Sequence, residues 1–138
     1  MDAASATRLV ERLGNRGASV VALYLFGSRA EGHAHRESDL DIGVLLDRRH
    51  APTARARFEV RLALLGALSR PEEPVPDVVI LNDAPPTLAV RIVTTGTRLL
   101  CRDSALEHAF RRDVQLRAAD LQPFLRRTRT VKLQALQR

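Results

Sequence analysis

The apolar run at residues 20–26, Val-Val-Ala-Leu-Tyr-Leu-Phe, constrains the fold more than any other part of the sequence. It contains β-branched and aromatic residues, has no charged position, and ends at Gly27. A strand with one face in solvent alternates apolar with polar residues, whereas a strand covered on both faces is apolar throughout. We therefore predict a β-strand over 20–26 that is buried on both faces.

Further strands and helices alternate along the rest of the chain. Alternating apolar residues predict a half-buried strand over 40–46, and short apolar runs predict strands over 77–81 and 98–102. Helical spacing of apolar residues predicts helices over 6–13, 52–69, 87–95 and from Ser104 onward, the last broken or kinked at Pro123. Strands interleaved with helices indicate an α/β domain.

Side-chain spacing makes two finer predictions. The apolar residues of the helix over 52–69 recur at helical spacing and would form its buried face: Phe58, Leu62, Leu65 and Leu68. Ser104 and Glu107 fit a capping box, in which both side chains bind backbone N–H groups at the start of a helix.

The length and composition suit a small single domain. We predict one domain over 1–138, with a core at about 6–103 and a helical basic tail at about 104–138. A single cysteine excludes internal disulfides. No run reaches the ~20 apolar residues of a membrane helix, and the N-terminus lacks the form of a signal peptide. We therefore expect a soluble cytoplasmic protein with no membrane partner.

The positive charge is concentrated at one end of the chain. The formal net charge is +6, but residues 122–138 alone carry +5 and contain no acid, so the remainder is almost neutral. Four Phe and one Tyr are few for a protein that stacks on bases. We interpret the basic segment as a face toward solvent or a protein partner, and do not expect direct nucleic-acid binding.

Gly27 and Ser28 stand where the first strand gives way to polar sequence. A glycine there allows close backbone approach, and the free N–H groups together with the Ser28 hydroxyl can hold phosphate oxygens. The alternative is a plain turn. Arg29 follows directly and could contact the same phosphates or form a structural ion pair with Glu31 or Glu37.

Carboxylates cluster on the next two predicted strands. Asp39 and Asp41 point to the same face because residues i and i+2 of a strand do so. Two such charges ~4 Å apart repel by about 4 kcal/mol at an effective dielectric of ~20, and a divalent cation such as Mg²⁺ would reverse that effect. Asp77 joins them if its strand is a neighbour, giving a cage for metal or for metal and a general base. Solvated side chains at Asp39 and Asp41, and a turn residue at Asp77, are the alternatives.

The segments LFGSRAEG at 25–32 and SDLD at 38–41 resemble the nucleotidyltransferase superfamily that includes DNA polymerase β. The likeness is greatest to its minimal branch, the MNT antitoxins of HEPN/MNT toxin–antitoxin pairs, and covers about residues 20–103. It implies a small mixed sheet flanked by helices. It also implies that Asp39, Asp41 and Asp77 form a catalytic triad that binds metal, and that Gly27 and Ser28 hold the triphosphate of ATP.

The same resemblance implies a reaction and a partner. AMP from ATP would be transferred, with Mg²⁺, to a tyrosine of a cognate HEPN ribonuclease toxin, because a chain this short has little room for an acceptor-binding domain. The helix from Ser104 and the basic tail would be the docking surface, which would make a hetero-oligomer with the toxin. Two alternatives remain open: a nucleotidyltransferase acting on a small molecule of the aminoglycoside type, and an antitoxin that neutralises by binding alone.

Overall fold

In the computed structural model, which describes residues 3–13, 18–27, 40–73 and 75–136, helices and strands alternate as predicted. The strands are β1 (Val20–Phe26), β2 (Leu40–Leu46), β3 (Pro76–Ile80) and β4 (Thr97–Cys101). The helices are α1 (Ala3–Leu13), α2 (Ala54–Leu68), α3 (Pro86–Thr95) and α4 (Ser104–Leu136), and a short 3₁₀ turn, Leu81–Asp83, follows β3. The α/β fold class is confirmed.

The strands form one mixed sheet in the order β3-β2-β1-β4. β1 is antiparallel to both of its neighbours, whereas β2 and β3 are parallel. Six of the seven residues of β1 are buried, so the strand predicted to be covered on both faces is confirmed. The half-buried character predicted for β2 is wrong, because Asp41 is its only residue that is not buried. β2 lies inside the sheet, and apolar side chains pack on both of its faces.

Two apolar clusters cover the two faces of the sheet. On one face, α1 and α2 supply Leu9, Leu13, Leu64 and Leu68 against β1, β2 and β3. On the other face, α3 and the first part of α4 contribute the following buried side chains: Ala89, Ile92, Val93 and Val114. Helices on both faces explain why β1 and β2 contain so few polar residues.

The side chain of Asn82 extends the pairing of β2 with β3 beyond the end of β3. Its Oδ1 accepts a hydrogen bond from the Leu46 N–H, and its Nδ2 donates to the Leu46 carbonyl, both at 2.9 Å. Leu46 and Asn82 are 36 residues apart, the same offset that relates Leu40 to Pro76 at the other end of the ladder. The Asn82 amide therefore holds the register of the parallel pair.

The predicted buried face of α2 is only partly correct. Phe58 and Leu62 are 54% and 50% exposed, whereas Leu68 is buried and Leu65 partly buried. A buried arginine explains the difference: the Arg57 guanidinium forms an ion pair with Asp83 at 2.9 Å and donates to the Ala51 carbonyl at 3.1 Å. Because Arg57 takes a position in the interior, the apolar residue that follows it turns outward.

The start of α4 differs from the predicted capping box. Asp103, not Ser104, caps the helix, since its Oδ1 accepts a hydrogen bond from the Leu106 N–H at 3.0 Å. The Glu107 side chain is 3% exposed and turns away from the helix end toward two arginines. Arg98 of β4 donates to it at 2.7 Å and Arg111 of α4 at 3.1 Å. The ion pair with Arg98 attaches α4 to the sheet, and the one with Arg111 lies within α4.

α4 continues through Pro123, where a break or kink was predicted; the break is wrong. Proline removes one helical hydrogen bond, but residues of high helix propensity on both sides, chiefly Leu, Arg, Gln and Ala, favour continuation. Although α4 is 33 residues long, none of the helices in the described ranges combines sufficient length with the apolar character needed to cross a bilayer.

Glu107→Gln should reduce the free energy of unfolding at pH 7 by about 2 kcal/mol, because it removes the charge that pairs with both arginines. Burial by itself raises the pKa of Glu107, but hydrogen bonds from Cys101 and Arg98 outweigh it, and the net pKa lies below the ordinary value of 4.5. The stabilisation is therefore present above pH 4.5 and is lost as the pH falls through that value and below. Urea unfolding at pH 7 and pH 3 measures both effects.

The control is Glu59→Gln, since Glu59 forms an exposed pair with Arg55 at 3.7 Å on α2. This change should alter stability by less than about 0.5 kcal/mol at either pH. Equal losses from the two variants, or a Glu107→Gln loss that does not shrink in acid, would contradict the assignment.

Candidate active site

The end of β1 and the starts of β2 and β3 meet at one end of the sheet. β1 runs antiparallel to β2, so its last residue, Phe26, pairs with Asp41 near the start of β2. Asp41 is in turn the register partner of Asp77 near the start of β3. Neighbouring strands lie about 4.8 Å apart, and register partners in a parallel pair project to the same face. Asp41 and Asp77 are therefore neighbours on one face of the sheet, as predicted if β2 and β3 were neighbours.

Gly27 lies against the side chain of Asp41. Its φ is +79°, a conformation that residues with a side chain rarely adopt. A Cβ built at this position would collide with Oδ2 of Asp41. Glycine thus meets two requirements: it makes the left-handed turn after β1, and it lets the Asp41 carboxylate lie against the chain.

Asp77 lies on the rim of the site, with its side chain 53% exposed. The nearest cation is Arg61 of α2, whose Nη2 is 3.9 Å from Asp77 Oδ1. Arg61 also donates from Nε to the Val78 carbonyl at 2.7 Å. The arginine is held mainly by the backbone, so the Asp77 carboxylate is left open on its solvent side.

Three of the predicted site residues, Ser28, Arg29 and Asp39, lie outside the described residues. Within the described ranges, no three His, Cys, Asp or Glu side chains form a group that could hold a metal ion. Asp41 and Asp77 supply two adjacent carboxylates, the hard oxygen donors that suit Mg²⁺. Such a donor set fits a Mg²⁺ ion held by two carboxylates.

A cavity of about 150 Å³ adjoins Gly27. Its lining residues come from the end of β1 and from one side of α3: Phe26, Gly27, Leu88, Arg91, Ile92 and Thr95. Arg91 and Thr95 are four residues apart and so share one side of α3. Arg91 and Thr95 were not among the site residues predicted from the sequence. The available signal was a cation and a hydroxyl at helical spacing on the helix that follows the Asp77 strand.

A larger cavity, of about 500 Å³, lies on the Asp77 side. It runs along β3 between α2 and α3, and its lining includes Phe58, Arg61 and Leu88. Leu88 also lines the cavity beside Gly27. The two cavities are therefore neighbours across the first turn of α3.

The known proteins that this chain resembles point to one family. Over residues 9–105 the sequence matches the family described as Polymerase beta, Nucleotidyltransferase. It is 39% identical over 79 residues to protein adenylyltransferase MntA of Shewanella oneidensis, a match that covers 56% of this chain and 51% of that protein. The chain thus matches about half the length of this relative.

Two solved structures have a similar fold. One is a chain from the crystal structure of a toxin–antitoxin with AMP-PNP: the TM-score is 0.65 at 27% identity, over 89% of this chain and 97% of that one. The other is from tri-AMPylated Shewanella oneidensis HEPN toxin in complex with MNT antitoxin. Its TM-score is 0.61 at 23% identity, over 93% and 98% of the two chains, a likeness of fold alone.

Gly27→Ala should lower the free energy of unfolding by at least about 1–2 kcal/mol, because the added Cβ disfavours the left-handed backbone and displaces the Asp41 carboxylate. Gly66→Ala is the matched control: Gly66 is exposed on α2, and a Cβ there meets nothing within 4 Å. That change should stabilise by about 0.5–1 kcal/mol. Denaturant unfolding of both variants measures the contrast, and equal shifts of the same sign would contradict it.

Proposed function

The chain belongs to the polymerase β nucleotidyltransferase family, and we propose that it is a protein adenylyltransferase that acts as an antitoxin. It transfers AMP from ATP to a tyrosine of a cognate HEPN ribonuclease toxin. The observation that carries this proposal is the pairing of Asp41 with Asp77 beside the left-handed Gly27. The similarity to an enzyme named protein adenylyltransferase MntA supports it.

The triphosphate of ATP binds on the Gly27 side of the site. The backbone N–H groups after β1 and the Ser28 hydroxyl hold its oxygens, and Arg29 adds a positive charge. To these predicted groups we add Arg91, because it lines the cavity that adjoins Gly27. A guanidinium forms paired, charge-assisted hydrogen bonds with phosphate oxygens.

Asp39, Asp41 and Asp77 hold Mg²⁺. Two of these three carboxylates, those of Asp41 and Asp77, belong to the described residues. When bound, Mg²⁺ neutralises phosphate charge and aligns the α-phosphate with the attacking oxygen. Asp41 is fixed for this role, because it pairs with Phe26 on one side and Asp77 on the other. Mg²⁺ is thus proposed from the donor set and from the family.

Asp77 faces the acceptor. Its open carboxylate accepts the proton of the tyrosine hydroxyl while the phenolic oxygen attacks the α-phosphorus of ATP. The bond from the α-phosphorus to the bridging oxygen breaks in line, and pyrophosphate leaves. The products are O-adenylylated tyrosine and pyrophosphate.

The whole chain would act as one minimal domain. The family match over residues 9–105 supports the proposed core at about 6–103. α4 and the basic segment at 122–138 form the docking surface for the toxin and support a hetero-oligomer with it. ATP as donor implies action in the cytoplasm.

Asp41→Asn should reduce adenylylation at least about a hundredfold, because it removes one charge from the metal-holding pair. The assay uses the full chain, α-³²P-labelled ATP, Mg²⁺ and the protein encoded by the adjacent reading frame. EDTA should abolish labelling and added Mg²⁺ restore it. Glu72→Gln, which changes an exposed acid outside the site, should leave the rate unchanged.

Undiminished labelling by Asp41→Asn, or no labelling by the unmodified protein, would overturn the proposal. Transfer of label to an aminoglycoside in place of the protein would indicate a small-molecule enzyme. Full rescue of toxin-expressing cells by Asp41→Asn would indicate neutralisation by binding alone.

Arg91→Ala should raise the KM for ATP about tenfold or more, since the variant loses a charge-assisted hydrogen bond to phosphate. The KM for the protein acceptor should change little. Arg55→Ala, on the exposed surface of α2, is the control. An unchanged KM for ATP in the Arg91 variant would exclude Arg91 from the nucleotide site.

A further inference from the structure

The outer edge of β3 borders the cavity on the Asp77 side. Among the strands that the structure describes, β3 is the last of the sheet and pairs only with β2. The cavity of about 500 Å³ beside it has Phe58 of α2 and Leu88 of α3 in its walls, and Asp77 in its lining. We call this cavity the β3 groove. A group bound in it would reach the proposed general base.

The backbone edge of β3 is already engaged near the active centre. Arg61 Nε donates to the Val78 carbonyl at 2.7 Å, the residue next to Asp77. A strand added to a sheet edge needs such carbonyls free for its own hydrogen bonds. The β3 groove therefore suits side chains inserted from a loop or helix better than a strand added to the sheet.

Exposed apolar side chains occur on the elements that border the groove, and Phe58 among them lines it. Within the described part of the chain, five large apolar side chains are exposed, and three of them lie on α2 or directly before β3: Phe58, Leu62 and Val75. Phe58 and Leu62 are one turn apart, and Val75 is 71% exposed. Large apolar side chains in such a group typically mark a surface that a partner covers.

The charges of the groove favour a protein over a polycationic small molecule. Arginines lie near both carboxylates in its lining: Asp83 pairs with Arg57 at 2.9 Å, and Arg61 lies 3.9 Å from Asp77, whose carboxylate stays open on its solvent side. A polycation would need more open acidic groups than this one. An aromatic side chain with apolar neighbours matches the walls, because rings bury large apolar areas and keep a polar end accessible.

We propose that the β3 groove receives the segment of the partner protein that carries the acceptor tyrosine. The ring packs between Phe58 and Leu88, and its hydroxyl lies at Asp77. The apolar neighbours of that tyrosine pack on Leu62 and Val75. This inference rests on the proposed function and names the surface by which the same active site selects its acceptor.

Phe58→Ser tests the groove. Phe58 is 54% exposed, so the change should leave the fold intact, which circular dichroism and thermal unfolding verify. Loss of a ring from the acceptor site should raise the KM for the partner protein about tenfold or more, with the KM for ATP unchanged. Glu59→Ser is the matched control, since Glu59 follows Phe58 on α2 and is likewise exposed, but lies outside the groove lining.

The outcomes separate the groove from the proposed function. If the unmodified protein labels the partner and Phe58→Ser does so with an unchanged KM for it, the groove assignment is overturned and the adenylyltransferase proposal stands. If the unmodified protein transfers no label, both fail. If Phe58→Ser raised the KM for ATP as much as the KM for the partner protein, the groove assignment would also be overturned.

A photocrosslinking amino acid at position 58 provides a second measurement. p-Benzoylphenylalanine replaces the exposed ring with a larger one, and irradiation of the complex should join it to the partner. Mass spectrometry should locate the crosslink in the peptide that contains the adenylylated tyrosine. A crosslink confined to other segments would overturn the proposal.

Discussion

The contact between the backbone of Gly27 and the carboxylate of Asp41 is the constraint on which the rest of the site depends. It exists because β1 ends beside the start of β2, with Phe26 opposite Asp41. The same register then places Asp77 beside Asp41 on the other side. The arrangement is maintained from the far end of the ladder, where the Asn82 side chain binds both backbone groups of Leu46. A slip of one residue would turn the carboxylate of Asp77 to the opposite face.

Much of this could be predicted from the sequence, because the relevant signals are local. A strand with no polar position, a glycine at its end and two acids two residues apart each have a direct structural meaning. The adjacency of β2 and β3 could be stated only as a condition, since the pairing of strands 36 residues apart depends on packing between them. The register of β2 with β3 depends on Asn82, whose side chain binds the Leu46 backbone as a strand residue would. No sequence pattern indicates this role.

Two of the wrong predictions, the buried face of α2 and the cap of α4, share one physical cause. Arg57 occupies an interior position of α2, and Glu107 an interior position of α4, although charged residues are rarely buried. Each is compensated by a partner on another element: Asp83, 26 residues away, for Arg57, and Arg98 of β4, nine residues away, for Glu107. Apolar periodicity assigns charged residues to the solvent face, so it misplaced Phe58, and the capping-box motif placed Glu107 at the exposed helix end. Ion pairs between distant elements are invisible to a pattern read along a single helix.

The outward turn of Phe58 connects this packing to the acceptor. Because the Arg57 guanidinium points inward to Asp83 and the Ala51 carbonyl, the next side chain on the helix must project away from the core. It projects into the β3 groove, opposite Leu88. Three residues later, Arg61 reaches back to the Val78 carbonyl and closes part of the sheet edge. One helix thus holds the β3 edge and presents an aromatic wall to the groove that Asp77 also lines, so the buried ion pair of Arg57 shapes the surface proposed to receive the acceptor. A change that weakens the Arg57–Asp83 pair would reorient this wall before it affects the Asp41 carboxylate on β2.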